Sequence, residues 1–204
     1  MMKRLKRFVT AISCAAALLL PCTIVNAQPA TTHEESGYVP QGYQLDFNDD
    51  FEGTELNTAD WKFEIQSAGW VNHELQRYVG KTFKGNKVVF VEDDHLTIRC
   101  QKVDGEVVSS RLNLRPSTGW CYGYFEARIK LPKGKGTWPA FWMMPVNVDW
   151  NTNPWPRCGE IDIMEEVGAD PNSVSSSIHC DAYNHTKGTQ KTHAMYLPGA
   201  EDDY

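Results

Sequence analysis

Residues 159–166 read Gly-Glu-Ile-Asp-Ile-Met-Glu-Glu, and three of the four carboxyl groups in that stretch, Glu160, Asp162 and Glu165, could act together. Side chains of an extended chain alternate between faces, so Glu160 and Asp162 share one face and Ile161 and Ile163 the other. Unbroken alternation would carry Glu165 to the apolar side, where an unpartnered carboxylate is costly. A one-residue bulge at Ile163-Met164 returns it to the face of Glu160, and bulges are favoured beside active sites because they re-aim a side chain. Crowded carboxyls repel, which raises the pKa of at least one and lets an acid and a base coexist near neutral pH. Cleavage of a glycosidic bond needs that pair. One carboxyl protonates the leaving oxygen while the other attacks the sugar or activates water, and a separation of about 5–5.5 Å means a covalent intermediate with retained configuration. The same spacing also fits a solvated acidic face on an edge strand. Ile161, Ile163 and Val167 weigh against that by marking a strand packed on at least one side. A metal site built from the three carboxylates lacks a nearby histidine pair or an Asp/Asn loop pattern.

A second cluster, Trp138-Pro139-Ala140-Phe141-Trp142, is the densest run of aromatics in the chain. Residues four apart on a strand point the same way, so Trp138 and Trp142 share a face and Phe141 takes the other. One face of such a strand can stack pyranose rings on indole while the other packs a core. Any one of these aromatics taken alone reads equally well as core.

Strands must position both clusters. Val88–Val91 and His95–Cys100 flank Asp93-Asp94, and Val103 and Val107-Val108 flank Asp104-Gly105; both patterns are hairpins. Tyr122–Leu131 alternates through Phe125, Ala127, Ile129 and Leu131 and reads as a further strand. Single helical turns are expected near Asn57–Trp61 and near His73–Leu75, and no segment carries a long helical period. Many short strands predict an all-β sandwich or barrel. A length of 204 residues suffices for one domain with a sizeable core, or two small ones. The catalytic segment is expected over 38–204, preceded by a polar linker at 28–37.

The N-terminus has the layout of a secretory signal. Lys3, Arg4, Lys6 and Arg7 precede an apolar run from Phe8 to Leu20, and Val25-Asn26-Ala27 offers a cleavage point closing the signal at residues 1–27. The run is too short, and too interrupted by Pro21, for a membrane span. Pro21 directly before Cys22 is also a poor fit to a lipid-accepting cysteine. The expected location is therefore exported: periplasmic, cell-surface or extracellular. Loss of four basic and no acidic residues takes the formal charge from −6 to about −10. An acidic domain argues against nucleic acid or anionic lipid as partner and suits a neutral substrate. Cys100, Cys121, Cys158 and Cys180 remain, spaced too widely for a zinc ribbon. They allow three disulfide pairings or four free, buried thiols, and nothing in the sequence speaks to oligomeric state.

Several ordered blocks resemble glycoside hydrolase family 16, and its laminarinase-like endo-β-1,3(4)-glucanases in particular. These are Phe47–Gly53, Asn72-His73-Glu74-Leu75-Gln76-Arg77-Tyr78, Tyr122–Arg128, Gly136–Met143 and Gly159–Glu165. The resemblance implies a β-jelly-roll of two antiparallel sheets, the concave one forming a glycan-binding cleft. By position it makes Glu160 the nucleophile, Glu165 the general acid/base, and Asp162 a hydrogen-bonding partner that tunes the nucleophile. Trp138 and Trp142 would line subsites on the non-reducing side, His179 would stand near the cleavage point, and Arg111 and Asn72 match polar cleft positions. No cofactor is required; some relatives bind a structural calcium ion through largely backbone ligands. The implied substrate is β-1,3- or mixed β-1,3/1,4-glucan. A galactan such as agar or carrageenan, or a non-catalytic glucan-binding protein, is the alternative on the same fold. Tyr204 falls about where relatives begin another aromatic strand, so a C-terminally truncated domain is expected.

Overall fold

A computed structural model describes residues 39–114 and 119–204; the expected signal and linker, with Cys14 and Cys22, lie outside them. The described residues divide into two compact units. The first comprises 39–114 with Tyr122–Tyr124, and the second 119–121 with Phe125–Tyr204.

The first unit holds nine short strands: β1 (Trp61–Phe63), β2 (Arg77–Tyr78), β3 (Thr82–Phe83), β4 (Asn86–Lys87), β5 (Val89–Glu92), β6 (His95–Ile98), β7 (Gln101–Val103), β8 (Glu106–Ser109) and β9 (Leu112–Leu114). They form the ladders β1–β9, β2–β8–β7, β3–β4 and β5–β6. Both expected hairpins are present, because their turn residues accept left-handed backbone. Asp93 and Asp94 have φ of 51° and 56°, and Asp104 and Gly105 have 48° and 87°. Two positive-φ residues make the turn whose twist matches paired strands. All ladders here are antiparallel except the two-residue β2–β8 pair, which is parallel. Val88, Val89, Val91, Val103 and Val108 pack with Leu56 and Val79 into a core flanked by Trp61, Phe63 and Leu112.

Two local expectations have different outcomes. Asn57 makes its single turn, accepting from Ala59 N at 3.1 Å through its side chain and from Trp61 N at 3.0 Å through its carbonyl. Near His73 the turn is left-handed instead of helical: Asn72 and His73 have φ of 51° and 55°, and Glu74 N bonds Val71 O at 3.0 Å. Asparagine tolerates that conformation and starts it.

The second unit is built on one four-stranded antiparallel sheet, in the order β10 (Ala140–Met143), β11 (Glu160–Glu166), β12 (Ser173–His179) and β13 (Lys191–Tyr196). A three-residue 3₁₀ turn, η1 (His185–Lys187), interrupts the β12–β13 connection. Fully buried Glu166 accepts from Asn172 N at 2.7 Å and closes the β11–β12 turn. Among the described residues Tyr122–Leu131 forms no ladder, contrary to expectation. Alternation reports a half-buried face and carries no information about a hydrogen-bonding neighbour. That face exists: Phe125, Ile129 and Leu131 line an apolar groove with Phe141, Ile163 and Val174. Ile161 and Val167 are about half exposed, at 49% and 47%, so of the three apolar markers on the carboxylate strand Ile163 alone faces a lined groove. Cys100, Cys121, Cys158 and Cys180 are all free, the first two exposed and the others half-buried, which corrects the expectation that free thiols would be buried. Among the described residues no helix is long and apolar enough to cross a membrane.

Candidate active site

The carboxylate strand β11 lies between β10 and β12, and its register breaks where the sequence requires. Asp162 pairs with Ser177 but Glu165 with Ser175, and on the other side Trp142 pairs with Asp162 while Phe141 pairs with Met164. One extra residue is therefore inserted at Ile163-Met164. The bulge takes the carbonyl of Ile163 out of the ladder, and Ser176 Oγ donates to it at 2.7 Å.

The insertion brings Glu165 back to the face that carries Glu160 and Asp162. Asp162, only 4% exposed, stands between the two glutamates. Burial, then the negative charges of Glu160 and Glu165, then a hydrogen bond with Glu160, push its pKa up to about 7. Asp162 therefore holds its proton through the mildly acidic range and shares it with the ionised form near neutrality. His179, paired with Glu160 across the β11–β12 ladder, brings Nε2 to 3.3 Å from Asp162 Oδ2. Its buried Nδ1 has no hydrogen-bond partner among the described residues. An orphaned buried N–H is the rarer and costlier state, which places the ring proton on Nε2, shared with Asp162.

Each glutamate is held by an indole. Trp138 Nε1 donates to Glu165 Oε1 at 2.8 Å, and Trp155 Nε1 donates to Glu160 Oε2. In each carboxyl one oxygen accepts from an indole N–H, and Glu160 is also hydrogen-bonded to Asp162. Trp142 stands beside Asp162 in the ladder, while Phe141 lines the groove on the opposite side, as their spacing requires. Trp138 remains half exposed, a flat apolar surface beside Glu165. Among the described residues no group of three or more His, Cys, Asp or Glu side chains is placed to hold a metal ion.

Six of the eight expected residues, Glu160, Asp162, Glu165, Trp142 and His179 on this sheet and Trp138 just before β10, come together here. Asn72 and Arg111 belong to the first unit. There Arg111 Nε lies 2.7 Å from Glu64 Oε2, and its guanidinium stacks over Trp70 at 5.2 Å. Asn72 Nδ2 donates to Glu74 Oε1 at 3.2 Å, and Glu74 Oε2 accepts from Tyr78 Oη at 2.5 Å and Gln76 Nε2 at 2.6 Å. Burial, followed by that bond to Glu74, pushes Tyr78 up to about 12, so the phenol stays a donor. The Asn72–Tyr78 block is thus a hydrogen-bonded network in its own right. Trp155 was not foreseen; its signal is a tryptophan between two prolines, Pro154 and Pro156, five residues ahead of Glu160.

Residues 75–202 match the family model described as glycosyl hydrolases family 16. The chain is 33% identical to a beta-glucanase of Rhodothermus marinus over 98% of its own length and 68% of that protein's. It is 39% identical to a glucan endo-1,3-beta-glucosidase of Cryptopygus antarcticus, covering 76% of this chain and 57% of that one. The solved laminarinase of Rhodothermus marinus superposes with a TM-score of 0.68 at 39% identity, over 76% of this chain and 62% of that chain.

Proposed function

Because the chain belongs to the glycosyl hydrolases of family 16 and to their jelly-roll fold class, we propose that it hydrolyses β-1,3- or mixed β-1,3/1,4-glucan internally, with retained configuration. The observation that carries this is the bulged strand, which presents Glu160, Asp162 and Glu165 on one face with an indole holding each glutamate.

In this reading Glu160 attacks the anomeric carbon while Glu165 protonates the departing glycosidic oxygen. The glycosyl-enzyme then yields to water, whose proton Glu165 removes. Asp162 couples the two steps. Esterified Glu160 carries no charge, so one of the charges raising Asp162 disappears on attack and returns on hydrolysis. Trp138 and Trp142 supply flat apolar surface for pyranose rings on the non-reducing side, and His179 orients Asp162. The chemistry calls on protein groups alone; a structural calcium ion would serve the fold, and no step is routed through one. The basic head and apolar run within residues 3–20 support export, where polymeric glucan is met.

The test is release of reducing ends from laminarin, barley glucan and agarose by the full chain, with Glu160→Gln alongside. Release from laminarin or barley glucan, reduced about 10³-fold or more in the variant, is expected. Activity on agarose alone would overturn the glucan assignment, and an unimpaired variant would remove Glu160 as nucleophile.

A further inference from the structure

Beyond the carboxylate strand, the connection after β12 holds an exposed histidine with unusual firmness. Asn184, fully buried, uses every side-chain polar atom on the loop around it. Its Nδ2 donates to the carbonyls of Cys180 and Asp181, at 2.9 and 3.2 Å. Its Oδ1 accepts from Thr186 Oγ1 at 2.6 Å and from Lys187 N at 3.1 Å. Thr189 Oγ1 ties the far end, donating to Ala182 O at 3.0 Å, and Gly188, at φ of 65°, closes η1 in the left-handed conformation. Such a lattice of bonds fixes a loop in one conformation, and what it presents is the ring of His185.

That ring lies against Trp155, with centroids 4.9 Å apart and planes 35° apart, and edge-on to His179 at 5.4 Å and 82°. His179 in turn meets Trp155 at 5.9 Å. The three rings form a closed triangle in which each touches the other two. Two of its corners end on the catalytic trio: Trp155 on Glu160 and His179 on Asp162. His185 makes no hydrogen bond to either carboxyl. Its contacts run through the two rings that do.

We propose that Trp155 and His185 form a positioning pair for the nucleophile, His185 locking the Trp155 indole so that its N–H holds one oxygen of Glu160. This rests on Glu160 being the nucleophile. A side chain that hydrogen-bonds a reacting carboxylate must keep its rotamer through turnover, and a half-buried indole with two torsions does so only when packed on its faces. With Oε2 held by the indole and Asp162 hydrogen-bonded to the same carboxyl, Glu160 is fixed in one rotamer. Without that restraint the carboxylate rotates, and attack requires a rare rotamer.

The experiment uses three variants of the full chain: Trp155→Phe, which keeps a ring and removes the N–H; His185→Ala, which removes the support; and His185→Phe, which restores it. On laminarin, Trp155→Phe should lower kcat roughly 10- to 100-fold and His185→Ala about 10-fold, each with KM changed less than about twofold. His185→Phe should stay within about threefold of wild type. Proton–nitrogen NMR of the indole N–H groups supplies a second readout that needs no substrate, with the Trp155 signal assigned by its loss in Trp155→Phe. A carboxylate-bound indole proton resonates downfield. Glu160→Gln and His185→Ala should both move it upfield, and His185→Phe should leave it in place. An indole signal indifferent to Glu160→Gln or to His185→Ala overturns the proposal, as does a His185→Phe variant as impaired as His185→Ala. A wild-type chain inactive on every glucan defeats the functional reading, while the indole signal still decides whether the pair positions Glu160.

Discussion

A carboxyl at position 162 is poorly placed to ionise. It is buried, it faces two glutamates, and its pKa is raised to about 7 by burial first and by those charges second. In the unfolded chain the same group titrates near ~3.9. Between these values the folded protein holds a proton that the unfolded chain has released, so stability falls as pH rises through that window. The stabilisation is fully present below about pH 4 and lost by about pH 7, a swing on the order of 4 kcal/mol at most. Asp162→Asn keeps the shape and cannot ionise. We expect its melting temperature to drop less between pH 5 and pH 8 than that of wild type, while its kcat falls at least about tenfold. Equal pH dependence in the two proteins would remove Asp162 as the source. Spacing alone places Glu160, Asp162 and Glu165 on one face once the bulge is granted. It does not say which carboxyl keeps the proton, because burial of Asp162 depends on what β10 and β12 lay beside it.

At the scale of elements, local chemistry was readable and non-local pairing was not. Asp93-Asp94 and Asp104-Gly105 announce their hairpins because two adjacent residues that tolerate positive φ decide the turn by themselves. The bulge in β11 was legible for a different reason: strict alternation would bury Glu165, and the chain avoids that cost. Tyr122–Leu131 has equally clean alternation and forms no ladder among the described residues, since a ladder needs a neighbour that the segment's own residues do not specify. η1 was not foreseen either, because its one strong determinant, buried Asn184, looks like any loop asparagine in sequence. The bulge itself has a small, separable support in Ser176 Oγ, which takes up the carbonyl of Ile163. Ser176→Ala should cost about 0.5–1.5 kcal/mol in urea unfolding and lower kcat more than it raises KM, because Glu165 loses its aim. No change in either quantity would mean that the bulge holds its geometry without that bond.

Across the whole molecule, burial is divided unevenly. The buried valines and Leu56 of the apolar cluster belong to the first unit, while the second buries Leu131 alongside Asp162, Glu166, His179 and Asn184 and leaves Ile161 and Ile178 about half exposed. Hydrophobic patterning therefore points to strands and core in the first unit, and the functional signal comes from polar residues in the second. The all-β class was readable from the many short strands. The jelly roll came from the ordered blocks, since periodicity alone also admits a barrel. An acidic balance of −6 is consistent with a neutral polymer as substrate, where steering by charge has nothing to act on. The proposed mechanism turns on a covalent bond between sugar and Glu160. Its most direct test is inactivation by a 2-fluoro laminari-oligosaccharide with an activated leaving group, followed by peptide mapping. A stoichiometric glycosyl adduct is expected on the peptide that contains Glu160, placed on that residue by fragmentation. Label on Asp162 or Glu165, or no label from an enzyme that releases product of inverted configuration, would contradict it.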